Sequence, residues 1–207
     1  MRALARDMNT AVRQGDLSDL LRNRRSTRVY DPGHVLADED LARLMRAAQW
    51  SPSAGNSQPW AFLVGRRGDE THRRFLPHLS AGNTSWVPHA SAVLVSAHQA
   101  ASGPEDDALT FSDYAMYDLG QSVAMLTVEA ELLGLTVHQF AGFGHDAVAR
   151  EFGVPPHWRV TTALAIGAYG DPRAADPVLA ERDERPRVRK PMDDFVFAGS
   201  WGAGAGL

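Results

Sequence analysis

Apolar residues recur along the chain in two rhythms, one of helical spacing and one of short continuous runs. From Asp38 to Trp50, Leu41, Leu44, Met45 and Ala48 repeat at i, i+3, i+4 and i+7 behind an acidic first turn, which predicts a helix that Pro52 ends. Asp16 to Arg25 predicts a shorter helix with Leu17, Leu20 and Leu21 on one side, and Asp69 to Leu79 another. Trp60 to Val64 and SAVLVSA, from Ser91 to Ala97, have the length and apolar content of strands. The longest periodic segment runs from Phe111 to Leu133. It carries Ala115, Leu119, Ser122, Leu126, Ala130 and Leu133 on one stripe, widened by Met116, Val123 and Met125, the pattern of a helix buried on more than one side. Gly134 is a natural terminator. A strand at Leu135 to Phe140, a helix at His145 to Phe152 and a core strand at Arg159 to Ala168 follow.

After Tyr169 the rhythm stops. Residues 170–207 are rich in proline, arginine, aspartate and glycine, with one apolar island at Phe195 to Phe197. Such a tail has too little apolar surface for a core of its own and is expected to be disordered or to lie across another surface. With that tail included, the chain reads as one domain of 207 residues, 44% hydrophobic and 22% charged, enough to bury a core.

The formal net charge of −4 gives no global attraction for nucleic acid or an anionic membrane, so anion binding has to be local. The absence of cysteine excludes disulfides, thiolate nucleophiles and cysteine-containing zinc patterns. Arg2, Arg6, Asp7 and Arg13 interrupt the first residues, and no run approaches the roughly 18 apolar residues of a spanning helix. A cytoplasmic protein is expected. The eight histidines show no HExxH spacing, so no metal site is assigned. GxGxxG between a strand and a helix, Walker A and GxSxG are all missing.

Two basic groups stand out. RNRRSTR places Arg22, Arg24, Arg25 and Arg28 around Ser26 and Thr27, and RVRKP in the tail adds Arg187, Arg189 and Lys190. Forked guanidinium donors beside a hydroxyl suit a terminal phosphate, and they equally suit a solvated helix C-terminus. Between the groups, SPSAGNSQPW (Ser51 to Trp60) is a helix stop and turn whose small residues let backbone approach a flat ligand, with the Asn56 amide as donor and acceptor. Tyr114 and Tyr117 suit a core, an interface or a pocket wall.

RRSTR, SPSAGNSQPW, then LGL and AGF, then RVRKP, in that order from Arg24 to Phe197, resemble the FMN-dependent nitroreductase family. The resemblance implies an α+β fold, a mixed or antiparallel sheet flanked by helices, in an intertwined homodimer whose 170–207 tail packs on the partner subunit, the 195–197 island adding a strand to its sheet. It implies that Arg24, Arg25, Ser26 and Arg28 hold the ribityl phosphate and pyrimidine side of FMN, with Arg187 and Arg189 closing over the phosphate. Pro52, Ser53, Ala54 and Asn56 would reach a flavin held mainly by the other subunit. Asn83 would face it, and the backbone N–H groups of Ala141 and Gly142 would face flavin N5. Many relatives have an acidic residue where Ala141 stands and some a lysine near Trp86, which bears on flavin potential and substrate range.

The implied activity is ping-pong hydride transfer from NADH or NADPH through FMN to a nitroaromatic, quinone or similar acceptor. It needs no acid, base or nucleophile side chain. A flavin-sequestering protein without nicotinamide turnover, and a dehalogenase or flavin-fragmenting enzyme of the same fold, remain open at this level.

Overall fold

The computed structural model describes residues 17–104 and 113–207. Four strands, β1 (Trp60–Arg66), β2 (Ala92–Gln99), β3 (Thr136–Phe140) and β4 (Trp158–Gly167), form one sheet in the order β1-β2-β4-β3, and every pair is antiparallel. Around it lie six α-helices: α1 (Asp19–Asn23), α2 (Asp38–Gln49), α3 (Glu70–Phe75), α4 (Ala115–Leu132), α5 (His145–Glu151) and α6 (Pro177–Glu184).

The central strands are buried on both faces, and side-chain alternation sorts their residues between two cores. Leu94, Leu164 and Ile166 pack with Leu44 and Ala48 of α2 and Leu119, Val123 and Leu126 of α4. On the other face Val93, Val95, Ala163 and Ala165 pack with Phe75, Trp86, Phe140, Val148 and Leu179. The continuous apolar runs of β2 and β4 are thus the signature of two-sided burial.

α4 ends in a Schellman turn. Gly134 takes φ +72°, its N–H donates to the Glu131 carbonyl at 3.1 Å, and Leu135 N–H donates to Ala130 at 2.9 Å. Most elements follow the periodicity, with three differences. The 69–79 helix is divided: Asp69 caps α3 by accepting His72 N–H at 2.7 Å, and Pro77 tightens Leu76–His78 into a 3-10 turn. The 111–133 helix begins at Ala115, and residues 111 and 112 lie outside the described part, as does Asp16 at the start of the first helix.

The third difference is in the tail. Residues 177–184 form α6, begun by Pro177 and capped by Asp176, which accepts Val178 N–H at 2.8 Å. Leu179 anchors it in the second core. The apolar island forms no extended strand within this chain: a 3-10 turn at Met192–Asp194 precedes it, and Phe197 makes a single bridge to Gly204. No helix of the described residues is long and apolar enough to cross a membrane.

Candidate cofactor site

The arginine segment leaves α1 in extended conformation and is held from both sides by the segment that follows β4. Tyr30 bridges Tyr169, with Asp31 N–H donating to Ala168 at 3.0 Å and Gly170 N–H to Val29 at 3.1 Å. The approach is close enough that a Cβ on Gly170 would lie 2.7 Å from the Tyr30 backbone, so only glycine fits. Further on, Arg187 donates to the carbonyls of Arg24, at 2.6 Å, and of Arg22.

Asp183, on the last turn of α6, is the central anchor. It is buried, and its carboxylate accepts Arg28 N–H at 2.9 Å, Val29 N–H at 3.2 Å and the Thr27 hydroxyl. Arg25 donates in turn to the Asp183 carbonyl. These bonds fix the backbone and leave donors over: among the described residues the guanidinium groups of Arg24 and Arg28 and the Ser26 hydroxyl hydrogen-bond to nothing.

Arg28 instead lies over the Trp86 ring, 5.9 Å from its centroid, and Trp86 stacks on His138 at 4.5 Å. His138 Nδ1 donates to the Thr27 carbonyl at 2.6 Å, closing a loop of contacts from Thr27 through β3 and back to Arg28. Trp86 is itself fully buried, its indole N–H shared between the Gly82 carbonyl at 3.2 Å and Asn83 Oδ1 at 3.1 Å. The Asn83 amide donates to the Gly142 carbonyl at 2.9 Å, so Arg28 and Asn83 meet at one indole and Asn83 ties Gly142 to it. The carbonyls of Ala141 and Gly142 accept from Phe143 and Ser80, while their own N–H groups donate to no described residue.

Pro52, Ser53, Ala54 and Asn56 are held elsewhere. Buried Asp118 of α4 accepts Ala54 N–H at 3.0 Å, and Ser53 Oγ accepts Gln58 N–H at 3.0 Å. Gly55, Asn56 and Gln58 all take left-handed φ, at 58°, 56° and 48°, a local arrangement that these side-chain bonds stabilise against its steric cost. No hydrogen bond joins this turn to the arginine segment among the described residues. Arg189 donates to the neighbouring Val188 carbonyl at 2.9 Å rather than to the carbonyls that Arg187 holds.

Three supporting residues escaped the sequence reading, Asp118, His138 and Asp183, while Thr27, read there as a hydroxyl among the arginines, donates to the Asp183 carboxylate. Asp118 sits beside the apolar stripe of α4, where a carboxylate next to Ala115 and Leu119 is a usable signal of a buried partner. Asp183 lies in ERDER, where charged neighbours conceal it.

Burial holds the His138 imidazole below its ordinary value, with the Arg28 charge acting the same way, and burial also depresses His72. A histidine depressed in the folded state takes up its proton first when unfolded. Stability is therefore expected to be intact above about pH 6.5 and to fall as the pH drops below that value, until the folded-state pKa values are passed. Thermal unfolding between pH 7.5 and 5 checks this; a His138→Gln variant should show a shallower decline.

A four-stranded antiparallel sheet between two helical layers, with an arginine segment pinned at one margin, defines an α+β protein of the nitroreductase fold. The chain belongs to the nitroreductase family, whose model, described as "Nitroreductase family", matches residues 21–85. An oxidoreductase containing FMN has a similar crystal structure, with a TM-score of 0.83 and 29% identity over 91% of this chain and 94% of that one. An uncharacterized 15.4 kDa protein of Mycolicibacterium smegmatis is 38% identical over 149 residues, 68% of this chain and 97% of that protein. A protein of Archaeoglobus fulgidus with the provisional name NADH dehydrogenase/NAD(P)H nitroreductase is 40% identical over 78 residues, 37% of this chain and 41% of its own length.

Proposed function

We propose that the protein is a cytoplasmic, homodimeric FMN-dependent oxidoreductase that passes hydride from NADH or NADPH to a nitroaromatic, quinone or similar acceptor in a ping-pong cycle. The observation that carries this reading is a rigidly anchored segment whose Arg24 and Arg28 guanidinium groups and Ser26 hydroxyl have no acceptor among the described residues. Such a donor set fits the phosphate of a flavin mononucleotide. When bound, FMN supplies the hydride-accepting and hydride-donating centre, and the protein supplies orientation and electrostatics.

In this reading Arg24, Arg25 and Ser26 bind the phosphate with Arg187, and Arg189 approaches it from the tail. Arg28 provides positive charge on the pyrimidine side, where negative charge develops on reduction. The uncommitted N–H groups of Ala141 and Gly142 point to the same conclusion: they are fixed backbone donors, which alanine in place of an acidic residue preserves. Asn83 keeps that turn in place through the Gly142 carbonyl. Pro52, Ser53, Ala54 and Asn56 serve the flavin of a second copy, which is consistent with their separation from the arginine segment. The tail beyond α6 exposes Val188, Phe195 and Trp201, and packing on the partner subunit would bury them.

The test is direct. The purified protein should be yellow, release FMN on heating and bleach rapidly when NADH or NADPH is added without oxygen. Bleaching by dithionite but by neither nicotinamide would turn the reading toward flavin storage. A colourless protein that takes up no added FMN would end it.

A further inference from the structure

Asp183 does more than hold a helix end. Its carboxylate meets three donors from three successive residues, Thr27, Arg28 and Val29, across more than 150 positions of sequence. Its carbonyl takes a fourth, from Arg25. A backbone carrying Arg25, Ser26 and Arg28 in extended form has no helical or sheet ladder of its own to hold it, so the direction of those side chains depends on what its N–H groups bond to. At 6% exposure the Asp183 carboxylate is shielded from water, and its bonds are charge-assisted and directional.

We propose that Asp183 is a positioning residue for the anion-binding array, setting Arg25, Ser26 and Arg28 toward the phosphate of FMN while touching no part of the cofactor. The inference rests on the flavin reading above. It also gives α6 a purpose: the last turn of a helix from the tail serves as the rigid backing of the arginine segment. Arg187, three residues past α6, grips the carbonyls of Arg22 and Arg24, so the same stretch of chain holds the segment by both its donors and its acceptors.

Asp183→Asn keeps the shape but removes the charge behind all three bonds and turns an amide NH2 toward the Arg28 N–H, which bonds both carboxylate oxygens in the wild type. The array should then loosen while the isoalloxazine surroundings stay as they are. Wild-type and variant protein, stripped of flavin, are titrated with FMN and with riboflavin, which lacks the phosphate, and binding is followed by flavin fluorescence. FMN affinity should fall about tenfold or more in the variant, on the scale of one lost hydrogen bond to a charged group. Riboflavin affinity should stay within about twofold, since it draws nothing from the array.

Thr27→Val, which removes one donor and leaves the carboxylate in place, should move FMN affinity the same way by less and carries the same comparison if Asp183→Asn does not fold. Equal weakening of both flavins would make Asp183 a general stabiliser and overturn the proposal, as would unchanged FMN affinity in both variants. In either case wild-type FMN binding leaves the flavin reading standing. Wild-type protein that binds neither flavin removes that reading, and this inference with it.

Discussion

Trp86→Ala should lower the free energy of unfolding by about 3–5 kcal/mol, the range for emptying a buried aromatic site. Trp86 is the largest fully buried side chain, and its ring meets three others, His138 at 4.5 Å, Phe140 at 5.3 Å and Tyr30 at 6.3 Å. His138 and Phe140 stand on β3 and Tyr30 on the segment bridged to Tyr169, so the surroundings can collapse only partly into the space that alanine leaves. Truncation also removes the N–H that Gly82 and Asn83 share, which adds on the order of 1 kcal/mol. Urea denaturation should show the midpoint falling with little change in slope. Trp86→Phe refills most of the volume but not the hydrogen bonds, and about 1–3 kcal/mol is expected. A loss below about 1 kcal/mol in the alanine variant would mean that the indole is not packed as described. FMN binding should weaken as well, at temperatures where the variant is folded, because Arg28 rests on this ring and Asn83 is bonded to it.

The two-sided burial of β2 and β4 and the amphipathic spacing of α2 were legible in the sequence because each is written into adjacent residues. Val93, Leu94 and Val95 need only their own alternation to be sorted between two cores. The Schellman stop at Gly134 was legible for the same reason. Asp183 was not, since its meaning depends on three donors from a segment more than 150 residues earlier, and a charged residue among Arg182, Glu184 and Arg185 looks solvated until the fold brings Thr27 to it. α6 was obscured likewise: its burial rests chiefly on Leu179 and Asp183, too little for a periodic stripe. Trp86 could be placed near the site by resemblance, yet nothing local showed that it would be fully enclosed and would act as the platform for Arg28. The arginines themselves were visible, and the reason that they are held with free donors was not.

A second large effect is expected on the uncovered side of α4. Its buried stripe, Ala115, Leu119, Ser122, Leu126 and Ala130, faces the sheet and α2. Roughly a third of a turn away run Tyr117, Met125 and Leu132, exposed at 68%, 45% and 53%, with Gln121 and Val128 between them at helical spacing. Tyr114 extends the line beyond the helix start and is 66% exposed. The periodicity alone predicted burial on more than one side, and the described residues cover only one; Tyr114 and Tyr117, which suit a core, an interface or a pocket wall, are exposed among them. A stripe about 22 Å long from Tyr117 to Leu132, at 1.5 Å per residue, is a suitable seam for a second copy. Tyr117→Glu with Met125→Glu should leave the monomer folded, because both side chains already meet solvent. In a twofold dimer each change acts twice, and four lost apolar contacts at about 1.5–3 kcal/mol each come to about 6 kcal/mol or more, some four orders of magnitude in the dimer dissociation constant. Light scattering after size exclusion should show a dimer for the wild type and a monomer for the double variant at micromolar concentration. FMN should be lost together with the dimer, since the Pro52 to Asn56 turn would no longer reach a partner's flavin. A variant that remains dimeric would move the interface to another face; a monomer that keeps its flavin fully bound would remove the second copy from the site.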